Sequence, residues 1–254
     1  MRIARATFRL LALISLTALF CVAFLAVKTF IYSESKALAW RNWNVRTWAR
    51  MMIRLLKIRI DANNPGPAGP FLLVCNHLSY IDILVLASQL DCAFIAKSEV
   101  AKWLFVGRMG MWIDTIFINR NRRRDVIETM NRMHRLIDSG LGVVLFAEGT
   151  STSGQHVSKF KSAILELAAR RAVPVHYASI TYATSLEETS AERSVCWWGD
   201  MTFPDHFFRL LQLSAIEATV TFGPKPIMDQ DRHILATKLW HAVNDQFIPV
   251  AMHK

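Results

Sequence analysis

The sequence predicts an α/β fold: a mostly parallel sheet covered by helices on both faces, preceded by an N-terminal membrane helix and an interfacial amphipathic helix. Three observations carry that expectation. Short apolar runs recur without polar alternation, as in strands buried on both faces. Stretches with helical spacing separate those runs, as crossovers between parallel strands require. Beyond the N-terminal apolar segment about 200 residues remain, enough for one well-buried domain.

Leu10 to Val27 is almost continuously apolar, broken only by Ser15 and Thr17, and follows Arg2, Arg5 and Arg9. Its length sits at the short end of the roughly 17–25 residues that span a bilayer as a helix. Basic residues before an apolar core also describe a cleavable signal peptide. Lys28, Thr29, Phe30 and Ile31 follow where small cleavage-site residues would stand, which favours a retained anchor. Both flanks are basic, so a full span and a helix dipping into one leaflet stay open.

Ala37 to Ile60 mixes Trp40, Trp43 and Trp48 with Arg41, Arg46, Arg50 and Arg54 among aliphatic residues. That mixture predicts a helix in the membrane interface, aromatics at headgroup depth and guanidiniums on phosphates. An ordinary surface helix packed on the domain is the alternative. The Pro- and Gly-rich stretch from Asn63 to Pro70 reads as a loop. It divides an anchor over residues 1–62 from a folded domain over 63–254.

In that domain the expected strands are Phe71–Cys75, Ala93–Ala96, Thr115–Asn119, Gly142–Ala147, Val175–Thr181, Val195–Trp198 and Ala218–Phe222. Helices are expected over Ile81–Leu90, Ser98–Val106, Arg124–Ser139, Lys161–Arg171, Pro204–Leu213 and Asp231–Phe247. Cys21, Cys75, Cys92 and Cys196 are widely spaced, without a Cys-x-x-Cys pair. They read as reduced residues of a cytosol-facing protein. No metal-ligand cluster stands out in the sequence.

The net charge of +10 invites an anionic partner. No nucleic-acid-binding motif accompanies it, and the basic residues cluster beside apolar and Trp-rich stretches. A membrane surface fits that arrangement and nucleic acid does not. A serine hydrolase is disfavoured because no Gly-x-Ser-x-Gly elbow occurs.

The chemistry concentrates in Asn76-His77-Leu78-Ser79-Tyr80-Ile81-Asp82. His77 falls at a turn between an expected strand and an expected helix, where α/β folds expose side chains for chemistry. From the helix Asp82 can fold back toward the imidazole. A carboxylate on Nδ1–H fixes the tautomer and leaves Nε2 to take a proton. Such a pair is a general base without a nucleophile of its own, suited to a substrate hydroxyl. Arg120 leaves the end of the strand Ile116-Phe117-Ile118, a position suited to a phosphate or carboxylate. Another apolar strand runs into Glu148-Gly149-Thr150-Ser151-Thr152, whose amides offer sites for an anion or oxyanion.

Taken in order, these residues resemble the lysophospholipid acyltransferase family over roughly residues 70 to 185. Asn76-His77-x4-Asp82 is similar to its first block and Gly110 through Ile116-Phe117-Ile118-x-Arg120 to its second. Phe146-x-Glu148-Gly149-Thr150 matches the third, Val173-Pro174 a degenerate fourth, and Phe160-Lys161 a Phe-Lys pair that often follows the third. The resemblance implies His77 as general base and Asp82 as its orienting partner. It also implies Asn76, Arg120, Glu148, Gly149, Thr150 and Lys161 around the acceptor. The implied reaction is direct attack of a lysophospholipid hydroxyl on acyl-CoA or acyl carrier protein, co-substrates beside which no cofactor is needed. The expected acceptor is 1-acylglycerol-3-phosphate, and the expected location the inner membrane with the catalytic domain facing the cytoplasm. Two departures weigh on the acceptor: Ala147 replaces a usual Pro, and Ser151 a usual Arg that could hold a phosphate. Another acceptor such as a lyso-ornithine lipid is therefore the alternative, and a non-catalytic basic membrane-binding protein the bland one.

Overall fold

Strand β2 (Leu72–Cys75) lies at the centre of the molecule, and its burial explains its lack of alternation. Leu73 and Cys75 point into one apolar cluster with Met52, Leu86 and Leu211. Leu72 and Val74 point into another, with Met133, Leu165 and Leu239. Each such leucine contributes about 1.5–3 kcal/mol by leaving water. The two clusters are the two faces of the sheet, so the expected helical cover on both sides is present.

The computed structural model describes residues 2–102, 110, 114–118 and 123–251. Around β2 stand β1 (Ile58–Asn63), β3 (Cys92–Lys97), β4 (Ile116–Ile118), β5 (Gly142–Phe146), β6 (Val175–Ala183) and β7 (Ile216–Phe222). The seven strands follow the order β1-β7-β6-β2-β5-β3-β4. Neighbours run parallel except β6 and β7, which are antiparallel. The mostly parallel sheet is thus as expected, with one reversal near an edge.

The helices are α1 (Arg2–Lys28), α2 (Glu34–Leu56), α3 (Ile81–Gln89), α4 (Arg123–Asp138), α5 (Glu166–Arg170), α6 (Ala191–Ser194), α7 (Phe203–Leu211) and α8 (Arg232–Gln246). Asp231 caps α8 by accepting from the amides of His233 and Ile234.

Several expectations need correction. The helix read as Ala37 to Ile60 stops at Leu56, where Lys57 turns left-handed at φ 55° and its amide bonds the last carbonyls. The chain then enters β1, whose residues Ile58 to Asn63 pair with Ile216 to Thr221. Strand pairing therefore begins ahead of the boundary expected after residue 62. Val195–Trp198 is no strand: the amides of Val195 and Cys196 close α6, and that of Trp197 bonds the carbonyl of Leu78. Lys161–Arg171 divides into a 3₁₀ turn, Ser162–Leu165, and α5. Of the helix expected over Ser98–Val106, a 3₁₀ turn at Val100–Lys102 is seen, and residues 103–106 lie outside the described residues.

Helix α2 is not a free interfacial helix. Its residues Arg41, Asn44, Val45, Trp48, Ala49, Met52, Ile53 and Leu56 form a buried stripe, and it packs between α1 and α3. Three of the four arginines expected on phosphates serve protein groups instead, while Arg54 is exposed. Arg41 donates to the carbonyl of Cys92 at 2.8 Å, Arg50 to that of Ser88 at 3.1 Å, and Arg46 pairs with Asp91 at 2.8 Å. Trp43 stays exposed, stacked on Trp40.

Candidate active site

Just beyond the carboxyl end of β2 the chain turns before α3, and His77 sits in that turn. Its Nδ1 lies 2.7 Å from Asp82 Oδ2. The same carboxylate oxygen accepts the amides of Leu78 at 2.8 Å and Ser79 at 3.0 Å. Asp82 occupies the first turn of α3 and reaches back over the residues that precede the helix, as carboxylates in capping turns do. The tyrosine hydroxyl of Tyr182 donates to the other oxygen, Oδ1, at 2.7 Å. Asp82 is 0% exposed, and these donors compensate its buried charge.

An acceptor-only carboxylate at Nδ1 places the ring proton there and leaves Nε2 unprotonated. Nε2 has no protein partner among the described residues, and the His77 side chain retains 21% exposure. The ring stacks on Phe146 with centroids 4.1 Å apart. Hydrogen bonding thus fixes one edge of the imidazole and packing one face, and a basic nitrogen is available at the other edge. Chemically, the arrangement can remove a proton from a bound hydroxyl.

Glu148, just past the end of β5, is tied to this turn from below. Its Oε1 accepts the His77 amide at 2.6 Å and its Oε2 the Ser158 amide at 2.8 Å. At 3% exposure its side chain is turned into the protein, with both oxygens on backbone amides. Burial raises its pKa to about 7, against the pull of those two amides. Asn76 is also turned inward. It is buried, and its side-chain amide is spent on β6: Nδ2 donates to the Ile180 carbonyl at 2.9 Å and Oδ1 accepts the Ile180 amide at 2.8 Å.

Gly149 is buried and left-handed at φ 85°, a conformation glycine adopts without strain. Its amide bonds the Phe146 carbonyl, and that of Thr152 the His77 carbonyl. Those two amides are therefore spent within the turn and not offered to an anion. Thr150 is exposed. Lys161 is exposed as well, its backbone amide on the Ala147 carbonyl. Ser151, where the resembling family has Arg, donates to the Trp197 carbonyl. Arg120 lies outside the described residues.

Two contributors were not anticipated from the sequence. Tyr182 is the final link on Asp82, and burial and the adjacent carboxylate push its phenol far up, so it stays a donor. Tyr80 bonds His206 of α7 at 2.9 Å and sits edge-on to Trp197, Phe203 and Phe207. No residue pattern in the sequence links Asp82 to Tyr182 across 100 positions, so only the strand order could have paired them. Among the described residues no cluster of metal-ligating side chains is present.

The Acyltransferase family model matches residues 57–181, which contain this turn, β5 and most of β6. The lyso-ornithine lipid O-acyltransferase of Brucella abortus is 32% identical over 80% of this chain and 81% of its own length. That of Rhizobium meliloti is 31% identical over 76% of this chain and 69% of its length. The 1-acyl-sn-glycerol-3-phosphate acyltransferase of Neisseria meningitidis serogroup B is 29% identical over 80% of each chain. In fold, the crystal structure of the 1-acyl-sn-glycerophosphate acyltransferase PlsC from Thermotoga maritima matches with a TM-score of 0.71 at 17% identity. It covers 96% of this chain and 97% of that one. With relatives this similar along most of both lengths, the chain belongs to the lysophospholipid acyltransferase family and is an acyltransferase.

Proposed function

We propose that this chain transfers an acyl group from a thioester of CoA or acyl carrier protein to the free hydroxyl of a lysophospholipid. His77 is the general base and Asp82 the residue that orients it. The observation that carries this reading is the 2.7 Å contact of His77 Nδ1 with a buried Asp82, on a ring whose other nitrogen has no described protein partner. The acceptor hydroxyl passes its proton to Nε2 as its oxygen attacks the thioester carbonyl carbon. The tetrahedral intermediate collapses with cleavage of the C–S bond, and the imidazolium returns the proton to the departing thiolate. The products are an ester and a free thiol, and no acyl-enzyme forms.

The site works at a membrane. Helix α1 is long and apolar enough to cross one, yet one edge of it is packed: Ala6, Leu13 and Phe24 are buried, and Thr17 accepts from Trp48. The other edge presents Phe8, Leu11, Ile14, Leu19 and Val22 to the outside. A helix so divided suits insertion into one leaflet with the domain beside it. We assign that leaflet to the cytoplasmic side of the inner membrane, where soluble thioesters arrive.

For the acceptor, 1-acylglycerol-3-phosphate is the first reading. The second, a lyso-ornithine lipid, is favoured by Ser151: its hydroxyl is engaged with Trp197, and no guanidinium stands at that position. Purified enzyme in mixed micelles, assayed for thiol release with each acceptor and each donor, tests both readings. His77→Ala should lower turnover about 10²–10⁴-fold while the chain still folds. Turnover within twofold of wild type would remove His77 from the mechanism.

A further inference from the structure

The base of α1 carries a cluster of cations apart from the His77–Asp82 turn. A cleft of about 350 Å³ opens there, lined by Arg2 of α1, Arg193 of α6 and Arg209 of α7, with Glu188 among its other walls. Behind it the first turns of α1 are fastened to the loop that ends α7. Arg9, buried, donates to the carbonyls of Leu211 and Leu213 at 3.1 and 2.6 Å. Arg5 donates to that of Gln212 and lies 4.0 Å from Glu188. Arg5 and Arg9 are thus structural and hold the walls together.

Arg2, Arg193 and Arg209 are different. All three are exposed, and none has a side-chain hydrogen bond or ion pair among the described residues. The single carboxylate of the cleft, Glu188, is already shared with Arg5 and with the Ser214 amide at 3.1 Å. The cleft is therefore a net cationic pocket whose three exposed guanidiniums have no ion pair among the described residues. Its surroundings are apolar: Ile3 and Phe8 stand on the same end of α1, Leu186 is 83% exposed on the neighbouring loop, and Phe208 is exposed beside Arg209. Fork-shaped donors beside exposed apolar side chains match a phosphate diester that carries acyl chains.

We propose that this cleft binds the phosphate of an anionic membrane phospholipid, whose chains lie along the apolar edge of α1. The occupant is a lipid of the surrounding leaflet and is distinct from the acyl acceptor. Soluble phosphates share the chemistry of its headgroup but cannot use Ile3, Phe8 and Leu186. Binding there seats the α1–α7 junction on an anionic surface independently of acyl transfer.

The test uses the full chain in a neutral detergent, titrated with short-chain phosphatidylglycerol or short-chain phosphatidylcholine. The wild type should prefer phosphatidylglycerol. The Arg193→Gln/Arg209→Gln double variant should weaken phosphatidylglycerol binding about 10- to 30-fold, at about a tenfold loss for each 1.4 kcal/mol and about 1 kcal/mol per arginine. Its weak phosphatidylcholine binding and its melting temperature should stay unchanged. An Arg54→Gln/Arg59→Gln variant removes equal charge from exposed positions elsewhere and should bind phosphatidylglycerol within twofold of wild type. An equal loss in that control would mean net charge and not a site, and would overturn the proposal. So would an unchanged affinity in the first variant. Displacement of phosphatidylglycerol by millimolar inorganic phosphate at constant ionic strength would assign the cleft to a soluble anion and overturn the lipid reading. Because the readout is binding, a failure here leaves the acyl-transfer reading untouched, and the reverse holds too.

Discussion

The carboxylates at the carboxyl end of the sheet and the arginines at the base of α1 treat charge in opposite ways. Asp82 and Glu148 are buried, and every carboxylate oxygen has a donor: three converge on Asp82 Oδ2, one on Oδ1, and one on each oxygen of Glu148. Arg2, Arg193 and Arg209 line an open cleft without side-chain partners among the described residues. Buried charge survives only where its partners suffice: in the first cluster Asp82, with four donors, spends its charge on geometry, while Glu148, with two, is pushed toward the neutral form. Exposed charge costs little to leave unpaired, so the second keeps its charge for something outside the protein. The same division runs through the basic residues of α2, where Arg41 is enclosed and Arg54 faces out.

The strongest way to break this comparison is at Asp82. Asp82→Asn keeps the shape but puts an amide N–H where acceptors are required, against donors from His77, Leu78, Ser79 and Tyr182. The imidazole then loses the partner that holds its proton on Nδ1. Turnover should fall on the order of 10³-fold, and stability by about 3 kcal/mol, since a buried donor left unpaired costs about 1–3 kcal/mol. Steady-state kinetics and a thermal melt would register both. A variant that melts like wild type would mean the donors on Asp82 are not what holds the turn.

A middle-sized effect is expected at Glu148, where the sign of the pH response separates stability from activity. Its folded pKa, about 7, lies above the ordinary 4.5 because the carboxyl is buried. The folded state therefore holds this proton more tightly than the unfolded chain. Glu148's contribution to stability is full below 4.5, declines as pH rises toward 7, and amounts to on the order of 3 kcal/mol across that window. Activity should run the other way, because a protonated Glu148 gives up one acceptor and releases the amide of His77 or Ser158. Glu148→Gln should remove both slopes and lower turnover about tenfold at pH 8, with KM little changed. If the pH–rate profile of the variant superimposes on the wild type, the clamp on His77 does not matter to catalysis.

His77 and Asp82 were legible because the information is local: a strand-like run, a turn, a helix, and a carboxylate five positions on. Six of the seven strands were legible for the same reason, since runs such as β2 and β5 are unbroken and apolar, but β1 was missed and Val195–Trp198 was read as a strand it does not form. Direction was not. Glu148 and Asn76 stand in motifs that read as ligand-facing, yet both side chains turn inward, because one must tie the turn to Ser158 and the other must join β2 to β6. The start of β1 was hidden because Ile58 and Ile60 continue the apolar pattern of α2, and the left-handed Lys57 carries no glycine to announce it. The arginines of α2 look alike in one dimension, and only packing divides them into enclosed and exposed.

The smallest predicted effect, and the one that most sharpens the contrast between enclosed and open charge, is at Tyr182. Its hydroxyl reaches Asp82 Oδ1 from β6 and touches neither the imidazole nor, on this reading, any substrate. Tyr182→Phe keeps the ring in its fully buried place and deletes one donor, leaving Asp82 held from the side of His77, Leu78 and Ser79. A buried carboxylate oxygen without its donor should cost about 1–3 kcal/mol of stability. Turnover should fall only a fewfold, because the contacts that orient His77 remain. If turnover falls as far as in Asp82→Asn, then Tyr182 takes part in positioning the base and is more than a partner for buried charge. A melting temperature equal to wild type would instead show that the enclosed carboxylate tolerates an empty valence, and the distinction drawn between the two charge clusters would weaken at its better-packed end.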